Sequence, residues 1–439
     1  KTWTNYAKNY AAAGIPAGTW VSSIELSRFD KNVVYATFDN HMYGDHKTYV
    51  ARSADGGRSW KLLSSPEFTG FAHKIKEDLS NRNLLFLGTE MGLFTSVDGG
   101  ANWFRMKNRI PEYALVRDIQ IQPQTNDLVL GTHGRGVIVV DDISPIRAMT
   151  PDVADKDVHL FPMKVTPLTT GLGSGGFPST GGWVVGNAPE LPAIRYYLKD
   201  RPSSGDLKVE ILDAKGNLVQ NLTPGKRKGI NNVYWNLRGT PPKVAAGGTK
   251  MDQAGFVSPM VLPGTYTVRL KVGDKEYTQP LTVVHDSTNK DFTLAERIAQ
   301  YKAAMQALEV HKNITETIEE VSKKQAQLKK WMATSKNEES KKMMQLYNDS
   351  LENYRSTLLA TKQKSIFADE EQLRERVTEL YTTIATLEEQ PSNLQMQRIT
   401  VLDKQVSTAK QKREELKKQF DPKVDKIVKE EQLETGKVF

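Results

Sequence analysis

A chain of 439 residues, 38% hydrophobic and 26% charged, is composed like a soluble globular protein and is too long for one ordinary core, so about two to four domains are expected. The absence of cysteine excludes disulfides, thiolate nucleophiles and cysteine-based zinc or iron–sulfur sites, and no apolar run approaches the roughly 18 to 20 residues of a membrane-spanning helix. The net charge of +8 comes from Lys and Arg alternating with Asp and Glu, not from a basic block; with no aromatic-basic stacking platform, nucleic acid is not an expected partner.

Residues 1 to about 150 show β-type alternation cut by Gly, Asn and Asp, and they repeat. Ser53-Ala-Asp-Gly-Gly-Arg-Ser-Trp60 and Ser96-Val-Asp-Gly-Gly-Ala-Asn-Trp103 share the pattern S-x-D-x-G-x-x-W. Lys1-Thr2-Trp3 reads as the end of a third copy, followed by Lys8-Asn9 and Ile15-Pro16 as Trp103 is followed by Lys107-Asn108 and Ile110-Pro111. Each full unit reads as four short strands. The two tryptophans lie roughly 43 residues apart, the length of a four-stranded propeller blade. A third unit runs through Val116–Gln122, Asp127–Thr132 and Gly136–Val140 and lacks the motif, as a terminal blade would.

The motif has a physical logic. Glycines, Gly57 and Gly100 among them, allow positive φ in a tight turn, Ser53 and Ser96 bond locally, Asp55 and Asp98 accept turn amides, and Trp60 and Trp103 fold back over the turn. This reads as a turn staple; a catalytic Asp is the competing reading. With "SRFDKNVVYATFD" at 27–39, "NLLFLGTEMGLFTSVDGGANW" at 83–103 and "NDLVLGTHGRGVIVVDDISPI" at 126–146, the segment resembles the last blades of Asp-box (bacterial neuraminidase repeat) β-propellers, closest to the sortilin-like bacterial exported branch. About three blades cannot close a ring. The expectation is therefore that further blades precede Lys1 in the same polypeptide.

Glycosidase chemistry would need a carboxylate pair or, as in sialidases, a Tyr–Glu nucleophile with an arginine cluster. Arg28, Arg117 and Arg135 near inner-strand ends, Glu90 after Gly88-Thr89, His133 in a glycine-rich turn, and Tyr35 are the candidates. Blander readings are carbonyl-satisfying arginines, a solvated Glu90, a packing His133 and a strand aromatic at Tyr35. No catalytic residue is assigned, and Arg28, Glu90, Arg117, His133 and Arg135 remain candidates for binding. Asp39-Asn-His-Met-Tyr-Gly-Asp-His46 offers ligand atoms in a loop, but nothing in its spacing makes them converge, so no metal site and no cofactor are expected.

Residues 151–288 read as a connector and then a β-sandwich. Gly171–Gly176 and Ser179–Gly182 form a glycine-rich loop without the Lys-Ser/Thr and helix of a phosphate-binding loop. Strands are expected at Ile194–Leu198, Leu207–Leu212, Leu218–Leu222, Asn231–Leu237, Thr265–Leu270 and Tyr277–Val284, with Trp235 in the core. "VEILDAKGNLVQNL" and "PGTYTVRLKVGDKEYTQPLTV" resemble the immunoglobulin-like domain of the flagellar hook-cap type.

Residues 289–439 predict an antiparallel helical bundle. Leu373, Val377, Leu380, Ile384 and Leu387 form one heptad stripe; Ile399, Leu402, Val406 and Ala409, then Leu416 and Phe420 beyond a polar gap at Arg413, form another. Earlier stripes run through Ile298, Tyr301, Met305 and Leu308 and through Met344, Tyr347, Leu351 and Tyr354, with breaks near 335–337, 365–369 and 390–392.

The fold class is multidomain: all-β propeller blades, an immunoglobulin-like sandwich, an all-α bundle. The resemblance implies an extracytoplasmic, non-enzymatic protein- or peptide-binding or scaffolding component. The alternative is a carbohydrate-active hydrolase, sialidase-like or glucanase-like, with its catalytic residues mostly in upstream blades.

Overall fold

The computed structural model describes residues 5–107, 110–168, 191–202, 207–247, 253–287, 290–361 and 371–433. Lys1-Thr2-Trp3, Asn108, the glycine-rich stretch 171–182 and the helix break near 365–369 lie outside the described residues. The chain divides into two compact units: Lys1–Phe161 with Tyr196–Arg201 and Arg227–Ile230, and the remainder.

In the first unit a short helix α1 (Ala7–Ala11) leads into three consecutive antiparallel sheets. The first holds β1 (Trp20–Leu26), β2 (Val34–Asn40), β3 (Asp45–Ser53) and β4 (Lys61–Leu63); the second holds β5 (Ala72–Glu77), β6 (Leu85–Thr89), β7 (Gly92–Ser96) and β8 (Phe104–Arg105). The third has three strands, β9 (Leu115–Ile121), β10 (Leu128–His133) and β11 (Val137–Val140). The sheets stack face to face: β5 packs on β1, β2 and β3, and β9 packs on β5, β6 and β7. Tyr35, Val50 and Leu63 meet Ile75, Phe94 and Trp103 across the first interface; Phe86 and Leu93 meet Val116, Ile119 and Leu130 across the second. The second interface is so close that a Cβ on Gly88 would stand 2.6 Å from the Val116 carbonyl oxygen. Successive four-stranded meanders stacked in this way are propeller-like.

Repeat equivalence exposes one asymmetry. Ile24, Ile75 and Ile119 pair with Ala36, Leu87 and Leu130 at the same point of each sheet. Ile75 and Ile119 are fully buried against the preceding sheet, whereas Ile24 is 61% exposed on β1, beside Leu26 at 67%. The echo around Ile15-Pro16 is also structural. Ile15 and Ile110 are both buried, and Thr19 and Ala114 donate their amides to the Pro16 and Pro111 carbonyls.

The chain continues through α2 (Ser144–Arg147), α3 (Pro151–Ala154), β12 (Val158–Leu160), β13 (Thr166–Leu168) and β14 (Ala193–Leu198). Arg147 grips the buried Asp78 of the second sheet with its Nε on both carboxylate oxygens, at 2.9 and 2.8 Å. β12 pairs antiparallel with β14 from Val158–Leu198 to Leu160–Tyr196.

The second unit contains β15 (Leu207–Leu212), β16 (Leu218–Leu222), β17 (Gly229–Tyr234, partly in the first unit), β18 (Gly264–Val272) and β19 (Lys275–His285), with a five-stranded sheet in the order β13-β19-β18-β15-β16. Trp235 is fully buried, edge-on to Tyr266 at 5.3 Å, and its indole donates to the Arg238 carbonyl at 2.8 Å. Four helices follow: α4 (Leu294–Thr334), α5 (Glu338–Leu358), α6 (Leu373–Thr386) and α7 (Asn393–Glu430). Capping boxes at Thr293/Glu296 and Ser392/Gln395 start α4 and α7 by satisfying amides that the first turn leaves open. α4 touches the other three helices. Their shared core also takes in Ala245 and Ala254 from the segment between β17 and β18, and Tyr381 and Arg374 donate to the Val257 and Ala245 carbonyls.

Two details differ from the heptad reading. Leu387 and Met305 are exposed, so those stripes end or shift there. Arg413 is no gap: it is buried in the seam and donates to the Tyr347 hydroxyl at 3.1 Å.

The two S-x-D-x-G-x-x-W turns are nearly superposable in their bonding. Ser53 Oγ accepts the Gly57 amide and donates to Asp55; Asp55 accepts the Ser59 amide and hydroxyl; the Trp60 indole donates to the Gly57 carbonyl. Ser96, Gly100, Asp98, Asn102 and Trp103 repeat the pattern. The glycine pairs 56–57 and 99–100 have φ between 71° and 93°, the left-handed region. Bonds from Ser59 and Ser53 hold the Asp55 carboxyl down to about 2. At Asp98, burial pulls upward but the Asn102 and Ser96 bonds outweigh it and leave the pKa lowered. Trp103 is only 5% exposed. Trp103→Ala should therefore cost about 3 to 5 kcal/mol, and Asp98→Asn much less, because an amide oxygen still accepts a turn bond. Chemical denaturation of both variants checks the order; an unchanged midpoint for Trp103→Ala would refute the staple.

Candidate functional site

The stacked sheets leave two rims of strand ends. One carries the S-x-D-x-G-x-x-W turns and the β1–β2 and β5–β6 turns. The other carries the entries to β1, β5 and β9 and the hairpins β2–β3, β6–β7 and β10–β11. Glu90 and Arg135 stand at these hairpins, His133 ends β10 opposite Leu115, and Arg117 follows Val116 near the start of β9. Four of the five binding candidates thus belong to one rim, while Arg28, just past β1, belongs to the other.

The hairpin rim contains a built cluster. His73, the second residue of β5, is buried, and its Nε2 lies 2.8 Å from Glu90 Oε2. Phe71, just before β5, stacks on His41 at 4.5 Å and meets His73 edge-on at 4.9 Å, with His46 at 6.0 Å. Asp39 Oδ1 receives the His41 amide and lies 2.6 Å from its Nδ1. The first two sheets are fastened beneath the cluster by bonds from Ser22 Oγ to the Ala72 carbonyl, from Thr37 Oγ1 to the His73 carbonyl and from Thr48 Oγ1 to the Gly70 carbonyl.

This geometry changes several expectations. Glu90 is a half-buried partner of His73, not a solvated turn residue. Arg28 and Arg117 are exposed, as are His133 and Arg135. In the Asp39–His46 stretch, β2 extends through Asn40 and β3 begins at Asp45, so only His41–Gly44 lies between the strands. Met42 and Tyr43 at its tip are 83% and 78% exposed. His73 and Phe71 were not singled out by sequence; neither belongs to a motif. Asp39 and Glu90 are each committed to an imidazole. Among the described residues, no group of three or more His, Asp or Glu is arranged to hold a metal ion, and no helix is long and apolar enough to cross a membrane.

No known family and no curated protein matches the chain. Among solved structures it is similar to an ancestral GH74 enzyme, at 15% identity over 60% of this chain and 34% of that one, with a TM-score of 0.25. It is also similar to the GH74 xyloglucanase from Xanthomonas campestris, at 13% identity, 60% and 47% coverage and a TM-score of 0.24. A third similarity is to YCF48 bound to D1 peptide, at 14% identity, 63% and 70% coverage and a TM-score of 0.21. The chain thus spans about a third of the ancestral GH74 enzyme and about half of the xyloglucanase.

Burial, the largest influence, pushes the His73 imidazole below its ordinary value; the Glu90 bond opposes this and the Arg117 charge reinforces it. A lowered imidazole pKa means that the unfolded chain binds the proton more readily. The stabilisation from neutral His73 is therefore present above about pH 6.5 and is lost as pH falls toward the folded value. NMR titration should place His73 below the ordinary histidine value, and lower still in Glu90→Gln, which removes the carboxylate that favours the charged ring. An upward move in that variant would contradict the assignment.

Proposed function

We propose that this chain is a non-enzymatic protein- or peptide-binding or scaffolding component of the bacterial cell envelope or exterior, and that its three sheets are the C-terminal blades of an Asp-box β-propeller of the sortilin-like branch. The observation that carries the binding reading is the composition of the hairpin rim. Trp20, Met42, Tyr43 and Tyr113 are 73%, 83%, 78% and 59% exposed there, with the exposed Arg117 and Arg135 on the same rim. Trp, Tyr, Met and Arg are enriched at protein interfaces: Trp, Tyr and Arg combine a large contact area with a polar group, and Met supplies a flexible, polarisable apolar one. Beneath them the His41–Phe71–His73–Glu90 cluster supplies a stiff floor.

In this reading Ser53, Asp55, Gly57, Trp60 and their counterparts Ser96, Asp98, Gly100 and Trp103 are fasteners and have no catalytic part. Their oxygens are occupied by their own turns. The exposed Ile24 and Leu26 support a further blade of the same polypeptide packed on β1, where β5 and β9 show how an inner strand is covered. Residues 151–288 then supply a connector and an immunoglobulin-like sandwich, and 289–439 a helical bundle, both as positioning modules outside the cytoplasm.

Selection of displayed peptides on the full chain tests the reading. Binding of the selected peptide should weaken at least about tenfold, about 1.4 kcal/mol, in Trp20→Ala and in Tyr43→Ala, with unchanged thermal stability because both side chains are exposed. Peptides indifferent to both substitutions would overturn the rim assignment. Hydrolysis of xyloglucan or a sialoside, abolished by a carboxylate-to-amide substitution in this chain, would overturn the non-enzymatic reading.

A further inference from the structure

The opposite rim carries a second site that the binding reading does not use. Between the first and second sheets lies a cleft of about 530 Å³, lined by Ser27, Tyr35, Arg52, Lys61, Glu77 and Arg82 among others. That volume is in the range of small-ligand sites. Its floor is polar and ordered. Tyr35 and Glu77 are 3% and 1% exposed, and Glu77 accepts the Ser27 hydroxyl at 3.0 Å on one oxygen and the Arg28 amide at 2.9 Å on the other. Tyr35 stands cross-strand from Arg52 on β3 and lines the same cleft as Glu77.

The charges do not balance. Arg52, Lys61 and Arg82 face the cleft with one carboxylate, Glu77, whose two oxygens are already engaged by blade-joining bonds. Among the described residues, none of the three cations lies within ion-pair distance of a carboxylate. Arg82 instead rests over the Phe29 ring at 6.0 Å. Surface Lys and Arg commonly stand free in solvent, but here three converge on one concavity above a buried phenol. Burial, the largest influence, raises the Tyr35 pKa, so the phenol stays protonated and remains a donor.

Repeat position adds an independent sign. Where Glu77 stands, the first and third sheets have Leu26 and Ile121, each at the last residue of its inner strand. At the position where the other two sheets carry an apolar residue, this one carries a carboxylate that anchors Ser27 and Arg28 across the interface. The result is a cleft whose floor is hydrogen-bonded and whose walls are cationic.

We infer that this cleft binds a small anionic ligand, of about monosaccharide or dipeptide size, whose oxyanion is held by Arg52 and Arg82 with Lys61 at the mouth. Guanidinium groups suit the role because they present paired donors to carboxylate or phosphate oxygens. The inference is independent of the peptide-binding rim and survives its failure.

Calorimetric titration of the full chain with D-glucuronate, glycylglutamate and glucose 6-phosphate tests it, with glucose as the uncharged control. At least one of the three anions should bind saturably and glucose should not; which anion binds separates sugar acid, peptide carboxylate and phosphate as the source. Binding should weaken at least about tenfold in Arg52→Gln and in Arg82→Gln, a loss of about 1.4 kcal/mol each, and should fall with added salt. Arg82 is exposed, so its variant keeps the test valid should Arg52→Gln fail to fold. Absence of saturable binding by all three anions, equal binding of glucose, or full affinity in the Arg82 variant would overturn the inference.

Discussion

A four-stranded sheet with two apolar faces is not stable by itself in water; each face has to be covered. In the first unit this single requirement organises everything else. Ile75 and Ile119 reach zero exposure only because the preceding sheet covers them, and each such burial is worth roughly 1.5 to 3 kcal/mol. The stability of each sheet therefore belongs jointly to its neighbours, and Arg147 extends the coupling by tying α2 back to Asp78. Burial alone would raise the Asp78 pKa, but the Arg147 bonds and the Ser80 and Asn81 amides outweigh it and hold the carboxyl below the usual carboxylate range. That stabilisation is present above the unfolded pKa and fades as pH falls.

Because the faces are consumed by stacking, chemistry is confined to strand ends. The two rims differ through the kind of connection each carries. On one, the serine–aspartate–tryptophan turns bond within themselves, and the gap between the first two sheets forms the cleft lined by Tyr35, Arg52 and Glu77. On the other, hairpins project beyond the last ladder bonds and place Met42 and Tyr43 in water. An aromatic ring such as Tyr43, with only two side-chain torsions, loses less conformational freedom on meeting a partner than a long flexible side chain of similar area. Support for these groups is local: Phe71 is packed among His41, His46 and His73, and two of these imidazoles are bonded to carboxylates.

The repeat was legible because its signature is local. A turn that needs Ser, Asp, Gly and Trp at fixed offsets writes itself into eight consecutive residues, and the strands between such turns follow from alternation. Glu90, Arg117, His133 and Arg135 could each be set beside a glycine or a strand boundary, but that these four share one rim while Arg28 lies on the other appears only once the strands are paired. Pairings across sheets were not legible. His73 and Glu90 are 17 positions apart, and Tyr35, Arg52 and Glu77 come from three strands whose register and stacking no short pattern encodes. One signal was available: alignment of the repeats sets Glu77 against Leu26 and Ile121, and a charged residue at an apolar repeat position marks a place where the sheet interface has been put to another use.

Arg413 shows the same lesson in the helices. A heptad count treats a charged residue in the seam as an interruption, because burying a lone guanidinium costs more than the core returns. Here the seam runs straight through it. Arg413 donates to the Tyr347 hydroxyl, Tyr347 stacks on Phe420 at 4.7 Å, and Lys324 lies over both Trp331 and Tyr347 while pairing with Asp421 at 2.9 Å. The Tyr354 hydroxyl, one heptad along α5, donates to the Ala409 carbonyl of α7 at 2.6 Å, so α5 meets the seam through two phenols and α7 answers them with a guanidinium and a backbone carbonyl. A buried polar contact ties a helix pair to particular alignments in a way that apolar packing does not, so the residue that looks like a flaw in the stripe is a point of attachment between α5 and α7.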